Sequence, residues 1–325
     1  MGAFFAKVWA TTGMLIVLNG MDWSKDDPMS KRQNIFSKML AVAIATIGLS
    51  GPAAAQDAQA VFGRLKEIHR MVMDPSQTFS ISATLAELDN LAPRIPRDAT
   101  ESLGELNYLR GFILYRAGRA SESVPASVEA LRIDAGTPFL TKAERARFTY
   151  NLASQAEDIG DWDIAIDNYR KAIDLFDGDP DFSDDQKLGT RERLAFCLHE
   201  VGRYAEAMAI NEKVLQAGET LFGQDSEKLL VVITDLAQNA YKLNQPMAAR
   251  RFLERRYSIA TKHGNQNHID ASLFQLGVLA FEQGDKSEAK AFMDQRLKLA
   301  KESGDLGRVH DAERDLQTLR EKMGD

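Results

Sequence analysis

The sequence has one cysteine and no surplus of positive charge, and both shortages limit what the protein can be. Because Cys197 is alone among 325 residues, an internal disulfide framework and a zinc site built from cysteines are excluded. The formal net charge is -7; residues 1–55 carry five basic and three acidic side chains, which leaves 35 basic and 44 acidic side chains after them. An acidic chain without a basic stripe gains little from counterion release, so we do not expect nucleic acid or an anionic membrane as a partner.

Motifs of catalysis and of cofactor binding are also missing. The sequence contains no Gly-rich phosphate loop ending in Lys-Ser/Thr, no G-x-S-x-G and no H-E-x-x-H. Residues 177–185 place carboxylates at alternate positions, but Phe182 and Leu188 stand where a calcium loop needs Gly and Glu. Cys197 and His199 are two apart on a predicted helix and so point to different sides. We expect no enzyme, no cofactor and no metal, and we interpret residues 177–185 as a solvated connection.

The N-terminal region predicts export. From Met29 the chain reads as a signal peptide of residues 29–55: basic side chains come first, an apolar stretch covers residues 39–50, and Ala53–Ala55 offers small residues for cleavage. The mature protein would then begin at Gln56 and be periplasmic or secreted. A membrane anchor is the alternative, but the stretch is shorter than the roughly 20 residues that cross a bilayer. We interpret residues 1–28 as an extension upstream of the true start, with a genuine longer leader as the alternative.

A repeat of 42 residues organises the rest of the chain. The segment from Gly160 to Ala165 matches the segment from Gly202 to Ala207, and the same frame recurs before and after them. Five units result over residues 104–303, the last at a shift of 40. Each unit carries a large-small pair on its first predicted helix: Arg110-Gly111 (a departure), Leu152-Ala153, Leu194-Ala195, Leu236-Ala237 and Leu276-Gly277.

The repeated residues have mechanical roles in a helix pair. Two helices cross closely only where small residues stand, and these are Ser123, Ala165, Ala207, Ala249 and Ala289 on the second helices. A glycine supplies a left-handed turn between the helices, at Gly118, Gly160, Gly202 and Gly284. Arg256 and Arg296 replace a small residue late in two second helices, which puts tight packing there in doubt.

This pattern resembles the tetratricopeptide repeat (TPR), and its length resembles the longer kinesin-light-chain type of unit. The segment 219–227 is also similar to the linker of that type. The resemblance implies an all-α, right-handed α-α superhelix of five helix pairs. Residues 56–103, with helices expected at 58–73 and 81–91, would cap one end, and residues 304–325 would cap the other. Dimerisation through the C-terminal helix is an alternative role for residues 306–323.

The resemblance further implies a concave surface, lined by the first helices, that binds a protein or peptide. Projecting the family pattern onto this chain gives a groove rich in aromatic and cationic side chains. These are Tyr108, Phe112, Tyr115, Arg116, Arg147, Tyr150, Phe196, His199, Gln238, Tyr241, Lys242, Phe274 and Phe281. Two alternatives stay open: any one ring can belong to the core, and the chain can tether or regulate a separately encoded envelope enzyme.

Overall fold

The protein is all-α. A computed structural model describes residues 52–323, and this part of the chain contains no strand. Its helices are α1 (Pro52–Met73), α2 (Ile81–Leu91), α3 (Thr100–Arg116), α4 (Ala120–Gly136), α5 (Lys142–Asp158), α6 (Trp162–Asp177), α7 (Asp184–Glu200), α8 (Tyr204–Phe222), α9 (Leu230–Lys242), α10 (Pro246–His263), α11 (Gln266–Glu282), α12 (Lys286–Ser303) and α13 (Leu306–Met323). Short 3-10 turns at Ala92–Arg94 and Glu227–Leu229 complete the described elements. The predicted fold class is confirmed.

The chain divides into two compact units, one ending at Leu175 and the next beginning at Phe176. In the first unit α1 and α2 pack against α3. Their shared core contains Leu65, Leu88 and Leu109, each with no exposed surface. The two helices predicted before the repeats are therefore present, and α1 begins at Pro52 rather than at residue 58. The expected signal peptide lies almost entirely outside the described residues, as does the segment 1–28.

Close helix crossings explain the small residues of the repeat. A Cβ atom on Gly111 would lie 2.3 Å from Ser127 Oγ, so α3 and α4 can approach as they do only with glycine there. In the last pair, a Cβ atom on Gly277 would lie 2.9 Å from the end of Met293. Ser123, Ala165, Ala207, Ala249 and Ala289 are all buried, as the repeat pattern predicts.

The turn inside each helix pair has one geometry. The turn residue has a positive φ in every pair: Gly118, Gly160, Gly202, Asn244 and Gly284. At the end of α7 the N–H of Arg203 donates to Leu198 O and the N–H of Gly202 donates to His199 O. These two bonds satisfy the last carbonyls of the helix and turn the chain back sharply. The predicted left-handed glycines are confirmed, and Asn244 adopts the same conformation with φ 56°.

The second unit contains helices α7 to α13, and each of them packs on the next along the chain. Its core includes Leu229, Ile233 and Leu253, which are buried between α8, α9 and α10. The final helix α13 packs on α12 and buries Leu316 and Leu319. The helix predicted over residues 306–323 is therefore present. No described helix is both long enough and apolar enough to cross a membrane.

Two expectations about packing in this unit need correction. Arg256 and Arg296 do not loosen the core, because both are buried and fully engaged. Arg296 binds Asp270 at 2.8 Å and Asp315 at 2.7 Å. The loop 177–185 is not simply solvated either: Phe182 is buried and stacks on Phe176 with ring centroids 4.1 Å apart.

Candidate partner-binding surface

Helices α7 and α9 lie side by side as the first helices of adjacent repeats. His199 Nδ1 lies 2.8 Å from Asn239 Oδ1, so the imidazole of α7 donates to the amide of α9. Residues three or four apart share one side of a helix. We call the surface formed by Glu192, Phe196 and His199 of α7 with Asp235, Gln238 and Lys242 of α9 the α7–α9 face.

Phe196 is the exposed ring of this face. It keeps 39% of its surface exposed. The Arg193 guanidinium lies 5.9 Å from the ring centroid. Near the end of α9, the exposed Lys242 lies 6.0 Å from the ring of Tyr204, and that ring also meets His199 edge-on. The face therefore combines apolar contact area with cations.

Two carboxyl groups on this face have no partner. Among the described residues, neither Glu192 nor Asp235 receives a hydrogen bond or an ion pair, although each is half-buried. Burial, and then the charge of Asp185, raise the pKa of Glu192 to about 7. Burial, and then the charge of Glu192, raise the pKa of Asp235 to about 7. Each carboxyl group therefore titrates near neutral pH, because no hydrogen bond or ion pair offsets the cost of its burial.

Arg256 lies behind these carboxyl groups but is already engaged. Its guanidinium donates to Ser272 Oγ at 2.8 Å, to Thr234 Oγ1 at 3.1 Å and to Gln275 Oε1 at 2.5 Å. Burial lowers its pKa to about 10, so it remains a cation at neutral pH. Its charge holds the pKa of Asp235 lower than burial alone would. Sequence reasoning missed this arrangement, since the two carboxyl groups come from different repeats.

The other predicted rings of the second unit are half-buried. The Tyr241 hydroxyl donates to Glu282 Oε1 at 2.8 Å, and burial together with this bond raises its pKa to about 12. The Arg296 guanidinium lies 5.0 Å from the Phe274 ring centroid. Phe274 and Phe281 both pack against the core that holds Leu316. These three rings contribute to packing and keep part of their surface accessible.

In the first unit, Tyr108 is a core residue and not part of a surface. It is 4% exposed and packs on Phe148 with ring centroids 4.4 Å apart, so the prediction that it contacts a partner is wrong and the alternative, a core ring, is correct. Phe112 is half-buried and stacks on Tyr108. The exposed Arg116 covers the rings of Phe79 and Phe112 at 5.2 and 5.9 Å.

The remaining predicted residues of this unit lie on α3 and α5. Tyr115 and Ser154 share a hydrogen bond of 3.1 Å between their hydroxyl oxygens. Tyr150 is half-buried and meets the buried Tyr169 edge-on, with ring centroids 5.6 Å apart. Arg147 is exposed. Apart from Arg116 and Arg147, the predicted residues of this unit are therefore half-buried or core.

A cluster of titratable groups that sequence reasoning did not find ties three helices of the first unit together. Glu105 of α3 has no exposed surface and binds both His69 Nδ1 and Lys66 Nζ of α1. His69 Nε2 also lies 3.6 Å from Glu144 of α5. Burial opposes the charge on His69, but these two carboxylates prevail and raise its pKa to about 9. Burial opposes the charge on Glu144 as well, but the contact with His69 and the hydrogen bonds from Thr141 lower its pKa to about 2.

Within residues 52–323 no group of three or more His, Cys, Asp or Glu side chains could hold a metal ion. Asp179 of the loop 177–185 is buried and accepts the backbone N–H of Asp181 at 3.0 Å. That carboxylate therefore supports the turn of the loop.

Comparison with known proteins identifies the repeat. Family models described as tetratricopeptide repeat match residues 188–262 and 271–303. This chain contains tetratricopeptide repeats. The first match begins in α7 and contains α8 and α9, so the α7–α9 face is built from helices of that repeat. A search of curated protein sequences finds no match.

Two solved structures are similar in fold to this TPR protein. The nearly identical TPR-like repeats named for a kinesin light chain of Podosopora anserina share 18% identity, with a TM-score of 0.50 over 65% of this chain and 100% of that chain. Aspartyl phosphate phosphatase F from Bacillus subtilis shares 12% identity, with a TM-score of 0.51 over 88% of this chain and 77% of that chain. At these identities the likeness is one of fold.

Proposed function

We propose that this TPR protein is a binding scaffold that takes a peptide or a segment of another protein onto the faces of its first helices, without chemistry of its own. The single observation that carries the proposal is the exposed ring of Phe196 on the α7–α9 face, between carboxyl groups and cations that the fold leaves accessible. An aromatic ring gives large contact area at small entropic cost, and mixed polar groups around it fix a polypeptide backbone. The TPR fold, as a helical scaffold, supports the same function.

A pair of variants tests this proposal. Phe196→Ala removes the exposed ring, and Leu221→Ala removes a side chain of similar exposure, 45%, from the second helix α8. We expect Phe196→Ala to weaken capture of polypeptides from an envelope fraction about tenfold or more, because buried aromatic anchors dominate binding energy. Leu221→Ala should leave capture unchanged. Circular dichroism should show equal helicity in both variants, and equal capture by both would contradict the proposal.

We also propose that the protein acts in the cell envelope after export. The basic, apolar and small-residue segments of residues 29–55 support this placement. Cleavage after Ala55 would shorten α1, but the described core residues of α1, which begin at Val61, all follow that point. Intact-mass measurement of the protein from an envelope fraction should give a chain that begins at Gln56. A mass that includes residues 29–55 would contradict export with cleavage.

A further inference from the structure

Within the described residues, the half-buried carboxyl pair of the α7–α9 face differs from the buried acids Glu105 and Asp134. Glu105 of the first unit is held by His69 and Lys66. Asp134 is held by Arg145 and accepts the backbone N–H of Leu140 at 2.9 Å. Glu192 and Asp235 have no such partner among the described residues, although they lie near enough for the charge of Glu192 to raise the pKa of Asp235. A half-buried charge without a partner destabilises the fold. Such a position is therefore a candidate functional site, where a ligand can supply the missing partner.

The charged side chains near Glu192 and Asp235 are engaged in other contacts and do not pair with these two carboxyl groups. Arg256 is the buried cation whose charge reaches Asp235, and its guanidinium is held by three neutral acceptors. Asp185, the further charge that acts on Glu192, is itself bound to Lys228 at 3.4 Å. Arg193, next to Glu192 in sequence, extends over the ring of Phe196.

The side chains around Glu192 and Asp235 indicate what kind of ligand group could bind between them. Glu192 and Phe196 are one helical turn apart on α7, so the exposed ring lies directly beside the carboxyl group. Lys and Arg side chains carry an apolar stem and a charged head, and they lay the stem along apolar surface while the head finds an acceptor. An ammonium or guanidinium between two carboxylates forms charge-assisted hydrogen bonds, which are the stronger kind.

We propose that the α7–α9 face recognises a basic residue of its partner, with the Lys or Arg head held between Glu192 and Asp235 and a neighbouring apolar side chain of the partner lying on Phe196. This inference rests on the proposed function and adds the chemistry of the partner to it. A bound cation would replace the repulsion within the pair by attraction. Binding of such a segment is therefore stronger where both carboxyl groups are ionised, above neutral pH, than below it.

The test uses an array of 12-residue peptides of Ala, Gly, Ser and Leu in which one Leu is followed by Lys, Arg, Gln or Glu. The wild-type protein is compared with the double variant Glu192→Gln/Asp235→Asn, which keeps shape and removes both charges. The control is the double variant Glu212→Gln/Glu302→Gln, which removes two exposed charges from the second helices α8 and α12. At pH 8, where Glu192 and Asp235 are mostly ionised, both variants change the net charge by about the same amount, so a general electrostatic effect would appear in both.

We expect the wild type and the control to retain Lys and Arg peptides about tenfold more than Gln peptides at pH 8, and to lose most of that preference at pH 6. The variant Glu192→Gln/Asp235→Asn should retain Gln peptides as the wild type does and show no preference at either pH. Equal retention of Lys and Gln peptides by the wild type would overturn this inference and leave the proposed function standing. A preference that survives in Glu192→Gln/Asp235→Asn would also overturn it, whereas retention of no peptide at all would contradict the proposed function as well.

Discussion

At the scale of single residues, most of the buried charged side chains within residues 52–323 have a hydrogen-bond or ion-pair partner. Arg296 has two carboxylates, Arg256 has three neutral acceptors, and Glu105 has a histidine and a lysine. A buried charge without a partner costs several kcal/mol, so such partners are a condition of folding. The carboxyl groups of Glu192 and Asp235 are the exception, because they have no such partner among the described residues. We propose a basic residue on the binding partner for this reason.

The His69 cluster predicts a pH dependence of stability. The pKa of His69 is about 9 in the folded protein and about 6.5 in a model peptide, so its contribution is fully present below pH 6.5 and is lost as pH rises toward 9. We expect the difference in unfolding free energy between wild type and His69→Gln to be largest at pH 6 and to shrink steadily up to pH 9. Urea unfolding at a series of pH values measures this difference.

A histidine outside the cluster provides the control for this prediction. His310 is exposed on α13, and His310→Gln should change the unfolding free energy little at any pH. A difference for His69→Gln that stayed constant from pH 6 to pH 9 would show that the ring acts through packing on Tyr108 and not through its charge.

At the scale of elements, the helix pair with its left-handed turn is the unit that the sequence specifies best. Gly202 has φ +79°, and a Cβ atom there would meet nothing within 4 Å. The cost of a side chain at this position is therefore conformational and not steric. Asn244 occupies the same place in the next repeat, and asparagine is the residue that tolerates this conformation best after glycine.

This geometry predicts opposite effects for two glycine substitutions. Gly202→Ala should destabilise the protein by about 1–2 kcal/mol, because alanine is forced into the left-handed region. Gly63 lies within α1, also with nothing within 4 Å of an added Cβ atom, but without a positive φ. Gly63→Ala should stabilise the protein by roughly 0.5–1 kcal/mol. Thermal unfolding of the two variants measures both effects, and destabilisation by both would contradict the assignment.

Sequence reasoning reached the elements because their causes are local. The turn glycines, the small residues at the helix crossings such as Ala207, and the helix over residues 306–323 all follow from spacing along the chain. It did not reach the pairing of His69 with Glu105 or of Arg256 with Gln275, which are 36 and 19 residues apart and are brought together by packing. It placed Tyr108 on a surface because spacing along the chain does not distinguish a ring exposed on the concave surface from a ring buried in the core.

At the scale of the whole molecule, the two units differ in what they expose. In the unit that ends at Leu175, the predicted aromatic residues are core or half-buried. In the unit that begins at Phe176, Phe196 is exposed and the α7–α9 face holds unpartnered carboxyl groups. Our proposal therefore places partner binding on the second unit, and on the α7–α9 face within it.

Site-specific cross-linking tests this central claim most directly. A benzophenone amino acid replaces Phe196 in one protein and Leu221 of α8 in another, and each is irradiated in intact cells. Cross-linked polypeptide should form from position 196 and not from position 221, because only the first lies on the α7–α9 face. Cross-links of equal yield from both positions, or from position 221 alone, would contradict the account.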